Sequence, residues 1–294
     1  MTPITGFVNI IKPTGMTSSD VVLRVKKILK TKKVGHLGTL DPAASGVLPV
    51  AVGKATKFFD YFLNKDKIYV AIVKFGIETD SLDSFGNITN KTEKIIKLED
   101  VLMVSREFVG EIYQTPPKYS AIKINGRKAC DLARENIDFE IKPKKITIHS
   151  ISKVEMIDEN LFKFEVHCSA GTYIRTLFSD IAKRLETVST TPVIIRIKSG
   201  RFNLDNAITL EEFEQTQKTL SVESVFNDIL IIDADEKNAK KLINGVKITQ
   251  NDLNLQNIDN NTCEILIRYQ DRLIGLYDAK SEVLNPIVYL YNGE

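Results

Sequence analysis

Apolar and polar positions along this chain follow two periods, and the switches between them mark its elements. Residues 7–11 are apolar enough for a first strand, and Lys12-Pro-Thr-Gly ends it with a turn. Thr17, Ser18 and Ser19 offer an N-cap, and Val21, Val22, Val25, Ile28 and Leu29 follow at the spacing of one helix face. The lysines at the end of that helix suit its dipole. The apolar run 47–52 is long enough for a buried strand or the start of a helix. Residues 68–75 read as a central strand, apolar on both faces. The stretch 79–86 is a polar, acidic loop, and 98–109 looks helical. Within 161–168, Phe162, Phe164, Val166 and Cys168 fall on one face of a strand. Past Gly171-Thr172, the residues Ile174, Leu177, Phe178, Ile181 and Leu185 line the apolar side of a helix.

Two stretches depart from this rhythm. Residues 114–145 carry Pro116-Pro117, an Asn125-Gly126 pair between extended segments that predicts a hairpin, and a helix-like piece over 129–134. This insertion is rich in Lys118, Lys123, Arg127, Lys128 and Arg134. From about Leu230 the composition shifts. A short helix ends at Gly245, and short strands follow at 264–269, 272–277 and 288–291. Their spacing suggests a small β-barrel, although the turn Gln270-Asp271 lacks the usual glycine. The expected division is therefore 1–229 and 230–294, with no internal repeat or low-complexity segment.

Composition narrows the class. A chain of 294 residues with 43% hydrophobic and 27% charged residues is an ordinary globular balance, enough for one large domain or two smaller ones. No apolar run approaches the roughly 20 residues of a membrane span. No signal peptide is apparent, so a cytoplasmic location is the default expectation. Cys130, Cys168 and Cys263 are far apart and odd in number, and the three histidines are scattered. Neither a disulfide framework nor a zinc site is expected.

A net charge of +2, from 40 basic and 38 acidic residues, does not announce a nucleic-acid binder. The distribution says more. Lys26, Lys27, Lys30, Lys32 and Lys33 form one cluster, Lys142, Lys144 and Lys145 a second, and Lys237, Lys240, Lys241 and Lys247 a third. One lysine run is commonly just a solvated surface. Three clusters tilt the reading toward a polyanion.

Three residues carry candidate chemistry. Asp41 lies directly before Pro42, which biases it toward extended geometry, and Gly35, Gly38 and Gly46 punctuate its surroundings. Such an acid is either a turn cap or a rigidly presented catalytic carboxylate. Tyr69 is either a packed strand tyrosine or a ring for stacking on a base, with a hydroxyl for proton work. Arg175 falls in the first turn of its helix, against the macrodipole, so it is either solvated or paired with a carboxylate such as Asp41.

Five ordered blocks settle these alternatives by resemblance. They are Gly6-Phe-Val-Asn-Ile-Ile-Lys-Pro-Thr-Gly-Met-Thr-Ser-Ser19, His36-Leu-Gly-Thr-Leu-Asp41-Pro-Ala-Ala-Ser-Gly46-Val-Leu-Pro49, Asp66-Lys-Ile-Tyr69, Lys118-Tyr-Ser-Ala-Ile-Lys-Ile-Asn-Gly126 and Cys168-Ser-Ala-Gly-Thr-Tyr-Ile-Arg175-Thr. Together they resemble the TruB family of tRNA pseudouridine-55 synthases over roughly the first 200 residues. The resemblance implies an α+β fold: a mixed, largely antiparallel sheet with flanking helices, then a small C-terminal PUA-like RNA-binding barrel. It implies Asp41, Tyr69 and Arg175 as catalytic residues. It implies RNA contacts by Lys12, His36, Tyr173, Ile194, Arg196, Lys123 and Arg127, with 114–145 as a mobile arm that closes on RNA and His36 wedging the space left by the flipped base. Where the family typically carries successive arginines, this chain has Ile194-Ile195-Arg196-Ile197-Lys198, so nothing is carried over to Ile195.

Pseudouridine formation cleaves the bond between uracil N1 and ribose C1′, rotates the base and rejoins it through C5. It requires no redox change or group donor, so no cofactor and no metal are expected. It does require an oxygen nucleophile or base, for which Asp41 is the candidate. Arg175 would pair with it geometrically, and Tyr69 would stack on the uracil once the base leaves its stack. The expected partner is the T stem-loop of tRNA, with no membrane, no protein partner and a monomeric chain. Two readings compete: a tRNA-folding chaperone without chemistry, and a hydrolase of the N-glycosidic bond. The hydrolase needs a second acid, for which Asp80 and Asp83 are available but not beside Asp41 in sequence.

Overall fold

A computed structural model describes residues 4–120, 122–135, 137–255 and 264–291; Cys263 lies outside them. Strand β1 (Gly6–Lys12) leads through the predicted turn into helix α1 (Ser18–Leu29). Thr17 caps α1 reciprocally: its hydroxyl accepts from the Asp20 amide, and the Asp20 carboxylate accepts from the Thr17 amide at 2.8 Å. Strands β2 (Val34–His36) and β3 (Ser45–Val52) flank the Asp41 loop. The apolar run 47–52 is thus a strand, and it is buried on both faces. After helix α2 (Phe59–Leu63) come β4 (Lys67–Phe75), the hairpin strands β5 (Ile77–Thr79) and β6 (Ile88–Lys91), helix α3 (Leu98–Glu107) and β7 (Gly110–Gln114).

The insertion forms the predicted hairpin, β8 (Lys123–Ile124) and β9 (Arg127–Lys128), with helix α4 (Ala129–Arg134) behind it. Asn125 and Gly126 both have positive φ, 49° and 87°, the turn geometry that matches strand twist. Then follow β10 (Lys144–Asp158), β11 (Leu161–Cys168), α5 (Ile174–Arg184), β12 (Ser189–Ser199) and β13 (Phe202–Asn203). The 15-residue β10 escaped the sequence reading because three bulges and an exposed surface break its alternation.

The main sheet runs β1-β3-β12-β4-β11-β10-β7, with β2 and β13 beside it. Its pairings are antiparallel except for β3 with β12, so it is mixed and largely antiparallel, as expected. Helices α1, α3, α5 and α6 (Leu210–Thr216) cover one face and complete the larger core. Strand β4 alternates buried and half-buried positions, which corrects the expectation of two apolar, buried faces. The second face is covered mainly at the β1–β3 end, where Phe7, Phe58, Phe62 and Phe202 pack edge-on and tilted.

Beyond α7 (Val222–Val225), β14 (Leu230–Asp233) and α8 (Glu236–Ile243) precede β15 (Glu264–Tyr269), β16 (Arg272–Asp278) and β17 (Asn285–Tyr289). Among the described residues these strands form a four-stranded sheet in the order β14-β15-β16-β17. The turn without glycine works because Gln270 and Asp271 both adopt positive φ. Strand β17 begins at Asn285, earlier than expected, and includes Pro286, which an edge strand tolerates. Leu266, Leu276, Val288 and Leu290 of this unit share one buried cluster with Phe7, Val47 and Phe58. No helix among the described residues is long and apolar enough to cross a membrane.

Candidate active site

Asp41 is held by its loop before any ligand is considered. Ser18 Oγ donates to the Leu40 carbonyl at 3.0 Å and accepts from the Leu40 amide at 2.9 Å, tying the loop to the first turn of α1. The Pro42 carbonyl accepts from the Gly15 amide at 2.8 Å. Gly46 has φ +102°, and a Cβ there would meet the Arg196 carbonyl at 2.3 Å, so only glycine lets β3 start this close to β12.

Arg175 reaches this loop from the first turn of α5. It is 4% exposed. Its Nη2 lies 2.6 Å from Asp41 Oδ2 and 3.0 Å from the Tyr119 carbonyl, while Nη1 donates to the Ser81 carbonyl at 2.7 Å. Asp83 Oδ2 sits 3.4 Å from Nη1 on the far side. A buried guanidinium at a helix N-terminus needs such partners, and here two carboxylates and two carbonyls supply them. The Tyr173 backbone just before it is locked by Gln114, whose side chain accepts from the Tyr173 amide at 2.7 Å and donates to its carbonyl at 3.0 Å.

A cavity of about 340 Å³ opens over this pair. Asp41, Tyr69, Tyr173, Arg175, Ile194 and Arg196 all line it, so six of the ten sequence-predicted residues converge although they span most of the catalytic region. Burial raises the Tyr69 and Tyr173 pKa values, which keeps both phenols protonated. Asp41 retains 34% side-chain exposure, open toward the cavity that Arg175 closes from behind.

The other four lie elsewhere. Lys12 is fully buried, and its ammonium donates to the carbonyls of Pro13 and Met16, both at 2.8 Å. Burial lowers its pKa to about 8. Its charge braces the backbone beside the Asp41 loop. Arg196 does the same from the cavity wall: 1% exposed, it donates to the Val47, Thr39 and Gly38 carbonyls at 2.8, 3.0 and 3.2 Å. His36 stands in β2, its Nδ1 buried without a hydrogen-bond partner. Burial, and then the nearby Arg196 charge, lower its pKa. Lys123 and Arg127 are exposed on the hairpin, where Arg127 pairs with Glu135 at 2.5 Å.

The sequence reading missed Lys67, Gln114 and Tyr119, and it named Asp83 only as a spare acid for a hydrolase, not as a partner of Arg175. Lys67 lines the cavity and donates to the Leu63 and Lys65 carbonyls at 2.6 and 2.5 Å; burial lowers its pKa to about 8. The adjacent Asp66 and Tyr69 were in view, and a lysine inside a strand start was the available signal. Tyr119 acts through its carbonyl, so no residue-type signal marked it.

Comparison with known proteins gives the family. Residues 26–174 match the model of the TruB family pseudouridylate synthase, N-terminal domain. A tRNA pseudouridine synthase B of Clostridium acetobutylicum is 41% identical over 94% of this chain and 96% of its own length. A tRNA pseudouridine synthase B of Clostridioides difficile is 46% identical over 76% of this chain and 74% of its own. A chain in a crystal structure of a Cbf5–Nop10–Gar1 complex superposes with a TM-score of 0.69 at 26% identity, covering 98% of this chain and 84% of that one.

Proposed function

This chain belongs to the TruB family of pseudouridylate synthases, and from that premise we propose how its geometry performs the reaction. It is an enzyme that isomerises uridine to pseudouridine in tRNA. We place the target at position 55 in the T loop and Asp41 as the catalytic carboxylate. The observation that carries this reading is the 2.6 Å contact between Arg175 Nη2 and Asp41 Oδ2 at the base of a cavity walled by Tyr69.

The target uridine leaves its stack and enters the cavity, at a cost of a few kcal/mol that contacts in the pocket offset. A volume of about 340 Å³ suits a ligand of this size. Arg175 holds one carboxylate oxygen of Asp41, which leaves the other for the substrate. Tyr69 stacks on the uracil, and its protonated hydroxyl is available near the C5 proton. Arg196 keeps the loop in place through the Val47, Thr39 and Gly38 carbonyls, and Lys12 reaches the Pro42 carbonyl at 3.5 Å. The insertion reports on substrate directly: Tyr119 accepts from Arg175, and Ile122 lines the cavity. Closure of this arm on RNA would thereby reach the catalytic arginine.

Asp83 does not rescue a hydrolase. It is the second acid near Arg175, but it is buried behind the guanidinium and does not line the cavity, so the two acids cannot flank one bond. The C-terminal unit from about Leu230 acts in this proposal as a PUA-like RNA-binding domain, on a chain that works in the cytoplasm as a monomer. Its basic side chains Lys237 and Lys240, on the N-terminal and central turns of α8, are exposed to meet phosphate.

The test is Asp41→Asn assayed on unmodified tRNA. Isomerisation should fall below detection while tRNA binding survives. A folded, tRNA-binding variant that still makes pseudouridine at near wild-type rate would remove Asp41 from its role. Release of free uracil by the wild type would overturn the isomerase assignment.

A further inference from the structure

Two of the three histidines meet on the face of the sheet that the active site does not use. His167 lies on β11, on the half-exposed side opposite Val166 and Cys168. His149 lies on β10, between the pairs Ile148 with Cys168 and Ser150 with His167. It is therefore the extra residue of a β-bulge, a feature that re-aims a side chain. The rings come within 4.6 Å, centroid to centroid. Asp66 joins them from the residue before β4: its Oδ2 lies 3.2 Å from His149 Nε2 and 3.6 Å from His167 Nε2. All three donor atoms fall within 4.8 Å of one another.

We propose that Asp66, His149 and His167 form a zinc-binding site. Zinc bonds of about 2.0–2.1 Å to nitrogen and oxygen, at tetrahedral angles, separate adjacent donors by roughly 3.3 Å. The two carboxylate-to-imidazole distances bracket that value, and the two imidazoles, whose donor atoms lie within 4.8 Å of each other, would draw together to close on an ion. Two imidazoles with one carboxylate select a borderline transition ion over magnesium or calcium, which prefer oxygen. Three protein ligands leave a fourth position for water or an exchangeable ligand. The site is half-exposed, so an ion can enter from solvent, and Asp66 and His167 also line a cavity of about 640 Å³.

The spacing of these residues along the chain, 66 to 149 to 167, hid the site from the sequence. Three neighbouring strands bring them together. The ion would tie β4, β10 and β11 across the sheet, one residue from Lys67 and three from Tyr69. This inference is independent of the reaction assigned to the cavity on the other face.

The test uses the full chain, freed of metal by chelator, titrated with zinc chloride alone and with cobalt chloride as a spectroscopic probe. The wild type should take up one zinc per chain, show the visible absorption of imidazole-bound cobalt, and melt at higher temperature with zinc than with chelator. Magnesium at large excess should not compete. Asp66→Asn should weaken zinc binding more than about 10-fold, the lower end of what even outer-shell changes cost a metal site. His149→Asn/His167→Gln, at one exposed and one half-buried position outside the hydrophobic clusters, should abolish the uptake and the melting shift. Absence of saturable zinc uptake in the wild type would overturn the site. So would equal uptake by the wild type and the double variant, since binding would then reside elsewhere.

Discussion

The Asp41–Arg175 pair and the hairpin arm over 114–145 both carry charge, and they are built in opposite ways. At the pair, a guanidinium 4% exposed is held by four partners, and the loop opposite it is tied by Ser18, Lys12 and Arg196. On the arm, Arg127 pairs with Glu135, Arg134 with Asp131 and Lys118 with Asp138, all on the surface. Surface pairs of this kind contribute little to stability and are readily exchanged. Buried charge is costly to uncouple, so its geometry persists through the reaction. Exposed charge gives up its partner easily, so it can trade a carboxylate for a phosphate.

The sharpest way to break this contrast is to remove the buried cation. Arg175→Met leaves Asp83 buried without its positive partner, and breaking such a pair costs about 3–5 kcal/mol. Thermal or urea unfolding should register that loss, and isomerisation should vanish with it. A variant as stable as the wild type would mean that Asp83 finds other partners and that the network is not a unit. Asp41→Asn should destabilise less, by about 1–3 kcal/mol, because Arg175 keeps Asp83 and two carbonyls. Measured together, the two variants separate the chemical role of Asp41 from the structural role of its partner.

The arm should respond in the other currency, affinity and salt dependence. Lys123→Ala/Arg127→Ala should leave unfolding nearly unchanged. If each contacts one phosphate, the slope of log K against log salt should fall by about 0.7–0.9 per residue lost. Glu135→Gln, which releases Arg127 from its pair, should bind tRNA more tightly. An unchanged salt slope in the double variant would take the arm out of RNA contact.

The smallest effect expected is at His36, where the site meets its supporting strand. Its folded pKa is lowered by burial and by Arg196. The unfolded chain therefore takes up the imidazole proton first, and stability declines as pH falls below about 6.5, levelling off once the folded form is protonated too. His36→Gln should flatten that part of the stability profile. A profile identical to the wild type would assign the acid limb to other groups.

Much of the fold and site was legible because the informative patterns are local. The Thr17 cap, the strand 161–168 and the α5 stripe each follow from a few neighbouring residues whose spacing has one good structural solution. The Asp41 loop was legible too, since a carboxylate among glycines before a proline is a local statement about backbone. What local pattern leaves open is which side of an element meets which other element, and how far a charge is buried. Lys12 illustrates this: in sequence it is a basic residue beside a turn, and in the fold it is a buried brace. The two-faced burial assigned to 68–75 belongs to β3 instead, because the second face of the sheet is covered mainly at the β1–β3 end.

The sequence by itself determined most of the element types, the ordered blocks of the family and the candidacy of Asp41, Tyr69 and Arg175. These depend on residue type and short spacing, which a chain carries whether folded or not. The tertiary structure alone decided that Asp83 stands behind Arg175, that the Tyr119 carbonyl and the Gln114 amide complete the site, and that His149 meets His167. Those contacts depend on strand order, register and one β-bulge, and strand pairing joins residues that no pattern along the chain connects.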